Sequence, residues 1–107
     1  MSAKYWQRGE TIDYTATEAV SNGDVVDLAT RIGVAGNDIA ANETGAVHVV
    51  GVFEIPKATG EITLGAAVYW DKSAKNITTT SESNTPAGWA VAAAKSADAT
   101  VLVKLPG

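Results

Sequence analysis

Ala46-Val-His-Val-Val-Gly-Val-Phe-Glu-Ile55 is the strongest strand signal in the chain. In an extended backbone Val47, Val49, Phe53 and Ile55 fall on one face, and His48, Val50, Val52 and Glu54 on the other. Apolar residues on both faces predict a central strand, covered on each side. Pro56 closes it, because proline has no amide hydrogen to give to a ladder.

Shorter strand signals surround this run, set apart by Gly, Asn, Asp and Ser. Thr11-Ile-Asp-Tyr-Thr15 alternates, and the turn Ser21-Asn-Gly-Asp24 leads into Val25-Val-Asp-Leu28 and then Arg31-Ile-Gly-Val34. Gly36-Asn-Asp38 and Asn42-Glu-Thr-Gly45 read as turns. Ala67-Val-Tyr-Trp70, Asn76-Ile-Thr-Thr79, Gly88-Trp-Ala-Val91 and residues 100–105 complete a set of about eight strands. Residues 79–85 form a polar tract expected as an exposed loop, and Ala92-Ala-Ala-Lys95 is expected in a strand and hairpin rather than a helical turn. The expectation is an all-β fold: one small β-sandwich or barrel over residues 11–107, preceded by an N-terminal arm over residues 1–10.

An internal echo reads either as two similar β units stacked into one domain or as the Gly-Val pattern that recurs in any β protein. Gly23-Asp-Val-Val26, Ile32-Gly-Val-Ala35 and residues 45–50 recur in order as Gly65-Ala-Ala-Val68, residues 87–91 and residues 99–103. The second series is stretched by the segment 73–85.

Composition narrows the function. The 107 residues fit one domain, with 46% hydrophobic and 19% charged residues. Ala and Val dominate the apolar set beside a single Phe and a single Met, so a thin core is expected. A net charge of −4, with eight scattered basic residues, argues against a nucleic-acid partner, whose phosphates need clustered Lys and Arg. There is no cysteine for a disulfide or a thiolate metal site. No apolar run approaches the roughly 20 residues of a membrane helix, and residues 1–10 show no apolar signal region, so neither a membrane partner nor secretion is expected.

Catalytic chemistry is sparse. The single histidine, His48, lies among valines without a nucleophile motif and reads as a sheet residue. The twelve carboxylates are dispersed, although two meeting only in the fold, as in a hydrolase, are not visible from sequence. Gly60-Glu-Ile-Thr-Leu-Gly65 has phosphate-loop glycine spacing, but Ala66 and Ala67 stand where Lys and Ser or Thr are required. No catalytic residue, cofactor or metal is assigned.

The aromatic residues say more. Trp70 and Trp89 are expected in the core, and Tyr69 and Trp70 lie on opposite faces of one strand, so at least one of the two points outward or into an interface. Tyr5 and Trp6 precede the first strand, flanked by Lys4 and Arg8, and this cluster of aromatic and cationic residues has the composition of an interface anchor. Folding back of Trp6 over the open end of the core is the competing placement.

Read in order, several segments resemble one family. They are Gly9-Glu-Thr-Ile-Asp-Tyr-Thr-Ala16, Ser21-Asn-Gly-Asp-Val-Val26, Glu43-Thr-Gly-Ala-Val47, Gly51-Val-Phe-Glu-Ile-Pro-Lys57, Gly65-Ala-Ala-Val-Tyr-Trp-Asp71 and Ala99-Thr-Val-Leu-Val-Lys-Leu105. Together they resemble the capsid cement, or head decoration, proteins of tailed phages and prophages. Some relatives carry a recombinase-like label, which the missing phosphate-loop lysine contradicts. The resemblance implies a structural, non-enzymatic virion protein, made in the bacterial host cytoplasm and bound to the outer surface of the phage head. It implies the major capsid protein as partner and a homo-oligomer, a trimer before a dimer, with Lys4, Tyr5, Trp6 and Arg8 as candidate capsid-interface residues. The alternative is a small β-sandwich module for carbohydrate binding or host-surface adhesion, with Tyr69 and Trp70 stacking on sugar rings.

Overall fold

The computed structural model describes residues 2–107. These residues fold into nine strands without a helix: β1 (Thr11–Thr15), β2 (Val25–Asp27), β3 (Ile32–Ala35), β4 (Thr44–His48), β5 (Val50–Pro56), β6 (Ala67–Asp71), β7 (Asn76–Thr78), β8 (Thr85–Ala90) and β9 (Thr100–Pro106). Two antiparallel sheets form an all-β sandwich, ordered β1-β4-β3-β2 and β5-β9-β8-β6-β7. Residues 92–95 are in neither strand nor helix; Ala94 makes a single bridge to Ile62.

The run 46–55 is not one central strand. It breaks at Val49, so that β4 lies inside the first sheet while β5 lies at the edge of the second. Gly51, with φ of 136°, sits just past the break in a backbone region that L side chains rarely adopt. The two apolar faces of the run therefore arise from membership in two sheets, and Val50, Val52 and Glu54 of β5 are exposed rather than covered.

The sequence echo is a structural repeat. In the first sheet Val25 pairs with Val34, Val26 with Gly33, and Ala35 with Val47. In the second, Ala67 pairs with Trp89, Val68 with Gly88, and Ala90 with Val103. The flanking strands match as well: Ile12 faces Val47 and Tyr14 faces Gly45, as Phe53 faces Val103 and Ile55 faces Val101. Even the loops correspond, in the bridges Val20 to Ile39 and Ile62 to Ala94. Strand β7 is the extra hairpin arm, in the segment that stretches the second unit.

Pairing fixes which residues share a face. Val26, Gly33, Ala35, Val47, Ile12 and Tyr14 lie on the inner face of the first sheet, and all but Gly33 belong to a core of its own with Ile39 and Val49. Val25, Ile32 and Val34 lie on its outer face and join the core of the second sheet, with Val68, Trp70, Ile77 and Val103. The sandwich is thus asymmetric: the outer face of the first sheet covers the inner face of the second. Asp27 and Thr85 tie this junction, Thr85 Oγ1 donating to Asp27 Oδ2 at 2.9 Å. His48 and Phe53 pack across it with ring centroids 5.9 Å apart. Fully buried valines such as Val47 and Val103 each contribute about 1.5–3 kcal/mol by leaving water.

Candidate functional site

The residues picked from sequence lie where no strand claims them. Segment 2–9 precedes β1 without regular structure, and Lys4, Tyr5, Trp6 and Arg8 are all exposed. Tyr5 is 81% and Trp6 85% accessible, so Trp6 does not fold over the core. The segment is tied to the sandwich at its base. Gln7 Nε2 donates to the Thr11 carbonyl at 3.0 Å, and the Glu10 carbonyl accepts from the Val49 amide at 2.9 Å. Large aromatics held in water beside two cations are costly to leave exposed and favourable to bury against a partner.

A second surface was not singled out from sequence. On the outward face of the second sheet, Val52, Lys104, Trp89 and Ala67 stand in one row across β5, β9, β8 and β6. Leu102 lies beside them, and Val52, Trp89 and Leu102 are exposed. Trp89 is therefore not core; its pairing with Lys104 turns it to the outer face. Trp70, by contrast, is buried as expected, through its alternation with Tyr69 along β6. The signal for this surface was present in the sequence: apolar Val52 and Leu102 on strand faces otherwise carrying Glu54, Thr100 and Lys104.

Several other polar residues hold the fold. A groove of about 400 Å³ between the sheets brings Asp24, Asp27, Lys72 and Lys75 to one place. Its carboxylates are taken up by structural donors: Asp24 Oδ2 accepts from the Ser21 amide at 3.0 Å, and Asp27 Oδ1 from the Ala29 amide at 2.8 Å. His48 packs on Phe53 and over Gly36, whose absent side chain leaves room for the imidazole. Among the described residues no group of His, Cys, Asp and Glu is arranged to hold a metal ion. Gly60 and Gly65 stand in a bend and a turn that lead into β6, not into a helix N-terminus, so no phosphate cradle forms.

Among the described residues the buried charged side chain is Lys57. Its Nζ donates to the carbonyls of Ala58, Lys95 and Ser96 at 2.9, 3.1 and 3.3 Å, stapling the end of β5 to the loop before β9. In the first unit Ala16 holds the equivalent place, each residue donating its amide to the matching loop carbonyl, Glu43 or Ala99. The lysine is thus a feature of the second unit alone.

Exposed aromatic residues on an all-β fold do not by themselves name a function, and comparison with protein families decides it. The family model described as phage cement protein matches residues 6–105. The chain belongs to this family. As a phage cement protein it has a structural role associated with the phage capsid, and the family is not one of enzymes. The match begins at Trp6, so Trp6 and Arg8 fall within it while Lys4 and Tyr5 precede it. The comparisons with curated proteins and with solved structures found no match. Burial of Trp70 removes the pair of stacking rings on which the carbohydrate-binding alternative depended.

Proposed function

We propose that this cement protein binds the outer surface of a phage head, through the major capsid protein, and reinforces the shell as a homo-oligomer, with a trimer preferred to a dimer. Synthesis in the bacterial host cytoplasm precedes its addition to the head. The observation that carries this reading is the exposure of Tyr5 and Trp6 in a segment anchored to the sandwich only at its base. Residues 1–10 act as an arm in this account, of which Met1 lies outside the described residues. Tyr5 and Trp6 insert into apolar surface of the shell, and Lys4 and Arg8 pair with its carboxylates. Cationic and aromatic groups close together suit a desolvated contact, where each strengthens the other.

The reading is tested by sedimenting undecorated heads with the purified protein, and then heating the washed particles. Saturable co-sedimentation and a higher temperature of DNA release support it. Absence of binding at micromolar protein contradicts it.

A further inference from the structure

The repeat leaves one face of each sheet in an unequal state. Within the chain, the outer face of the first sheet covers the inner face of the second, burying Val34 to 7% exposure. The residue equivalent to Val34 in the second sheet is Trp89, paired with Lys104 as Val34 is with His48. Trp89 is 40% exposed, in a patch with Val52 and Leu102, because among the described residues no third sheet covers it. The other end of the stack mirrors this. On the inner side of the first sheet, Ile12, Tyr14 and Leu28 remain only partly buried. The counterparts of Tyr14 and Leu28 in the second sheet face a covered core, Ile55 at 2% and Trp70 at 7% exposure, while Phe53, the counterpart of Ile12, is partly buried. The layer order places these two unfinished faces on opposite sides of the molecule, so one chain cannot satisfy both.

We infer that copies of this chain associate head to tail, the outward face of the second sheet (Trp89, Val52, Leu102) of one copy covering the open side of the first sheet (Ile12, Tyr14, Leu28) of the next. The contact repeats between chains the packing that already joins the two sheets within each chain. It is heterologous, and such contacts end only by closing into a ring. The ring size of three rests on the proposed function; the pairing of faces does not.

The absence of cysteine makes the test direct. L28C and L102C chains, each checked for an unchanged thermal midpoint, are treated with a short bis-maleimide singly and as an equal mixture, free at high concentration and on heads. The inference expects covalent dimers in the mixture at least about tenfold above those of either variant alone. Self-crosslinking of L102C as strong as the mixed product indicates a two-fold contact and overturns it, as does a lack of mixed product both free and on heads. A second variant, W89S, changes an exposed side chain and is expected to abolish self-association in sedimentation while retaining the fold; unchanged association overturns the inference. Binding to heads without the mixed crosslink leaves the proposed function standing, and the mixed crosslink without binding to heads leaves only the ring.

Discussion

Val34 and Trp89 occupy matching positions in the two sheets, opposite His48 and Lys104, and Val34 is 7% exposed where Trp89 is 40%. The same place in the repeat thus serves the core in one sheet and the surface in the other. Substitutions at the two sites therefore separate. Val34→Ala is expected to destabilise the protein by about 1–3 kcal/mol, through lost burial and a residual cavity. Trp89→Tyr, which keeps the covered part of an aromatic ring at a site 40% exposed, is expected to change stability by no more than about 0.5 kcal/mol. Urea unfolding of the two variants checks this, and equal losses contradict the asymmetric packing.

Lys57 gives a second prediction. Lys57→Met keeps most of the apolar stem but leaves the carbonyls of Ala58, Lys95 and Ser96 without their shared donor. The Lys95 and Ser96 carbonyls keep the Asp98 and Gly60 amides, so the loss falls mainly on the Ala58 carbonyl and is expected to be about 1 kcal/mol. In a domain of this size each kcal/mol lowers the thermal midpoint by about 4–8 °C. A midpoint equal to that of the parent chain contradicts the staple.

Gly88 gives a third. Its φ is 145°, and a Cβ there runs into the carbonyl oxygen of Lys104, a backbone atom fixed by the β8–β9 pairing. Gly33, its counterpart, faces the His48 carbonyl in the same way but mainly meets the Val47 side chain. Gly88→Ala is expected to cost about 3 kcal/mol or more, since strain and a backbone clash add. Scanning calorimetry or soluble yield reports it; a parent-like midpoint for Gly88→Ala contradicts the close approach.

Much of this fold was legible because turns and alternation are local. Ser21-Asn-Gly-Asp24 closes as its composition requires, the Asp24 amide donating to the Ser21 carbonyl at 3.0 Å. β1 covers the residues whose alternation marked it, and the Gly-Val echo corresponds to a shared strand pairing. The break at Val49 was hidden, because no proline stands there and the apolar run continues through it. Trp89 was misplaced for a related reason: alternation tells which residues share a face, not which face a neighbouring sheet will cover. Lys57 was also beyond reach, since two of its acceptors, the Lys95 and Ser96 carbonyls, lie far along the chain. The exposed group at Lys4, Tyr5, Trp6 and Arg8 was readable because it precedes the first strand signal.

Deleting residues 2–8 tests the arm apart from the fold. Tyr5 and Trp6 are exposed, so the free protein is expected to keep its thermal midpoint within about 2 °C. Co-sedimentation with heads is expected to fall at least about a hundredfold in affinity, as loss of a few aromatic and cationic anchors does at an interface. Undiminished affinity of the truncated chain refutes the arm.

The central claim, that this phage cement protein coats the outside of the head, is tested most directly by cryo-electron microscopy of undecorated heads incubated with the purified protein. The account predicts added density on the outer surface at symmetry-related positions, with a projection from the residue 2–10 end of each sandwich contacting the shell. Heads without added density, or with the protein on their inner surface, contradict it.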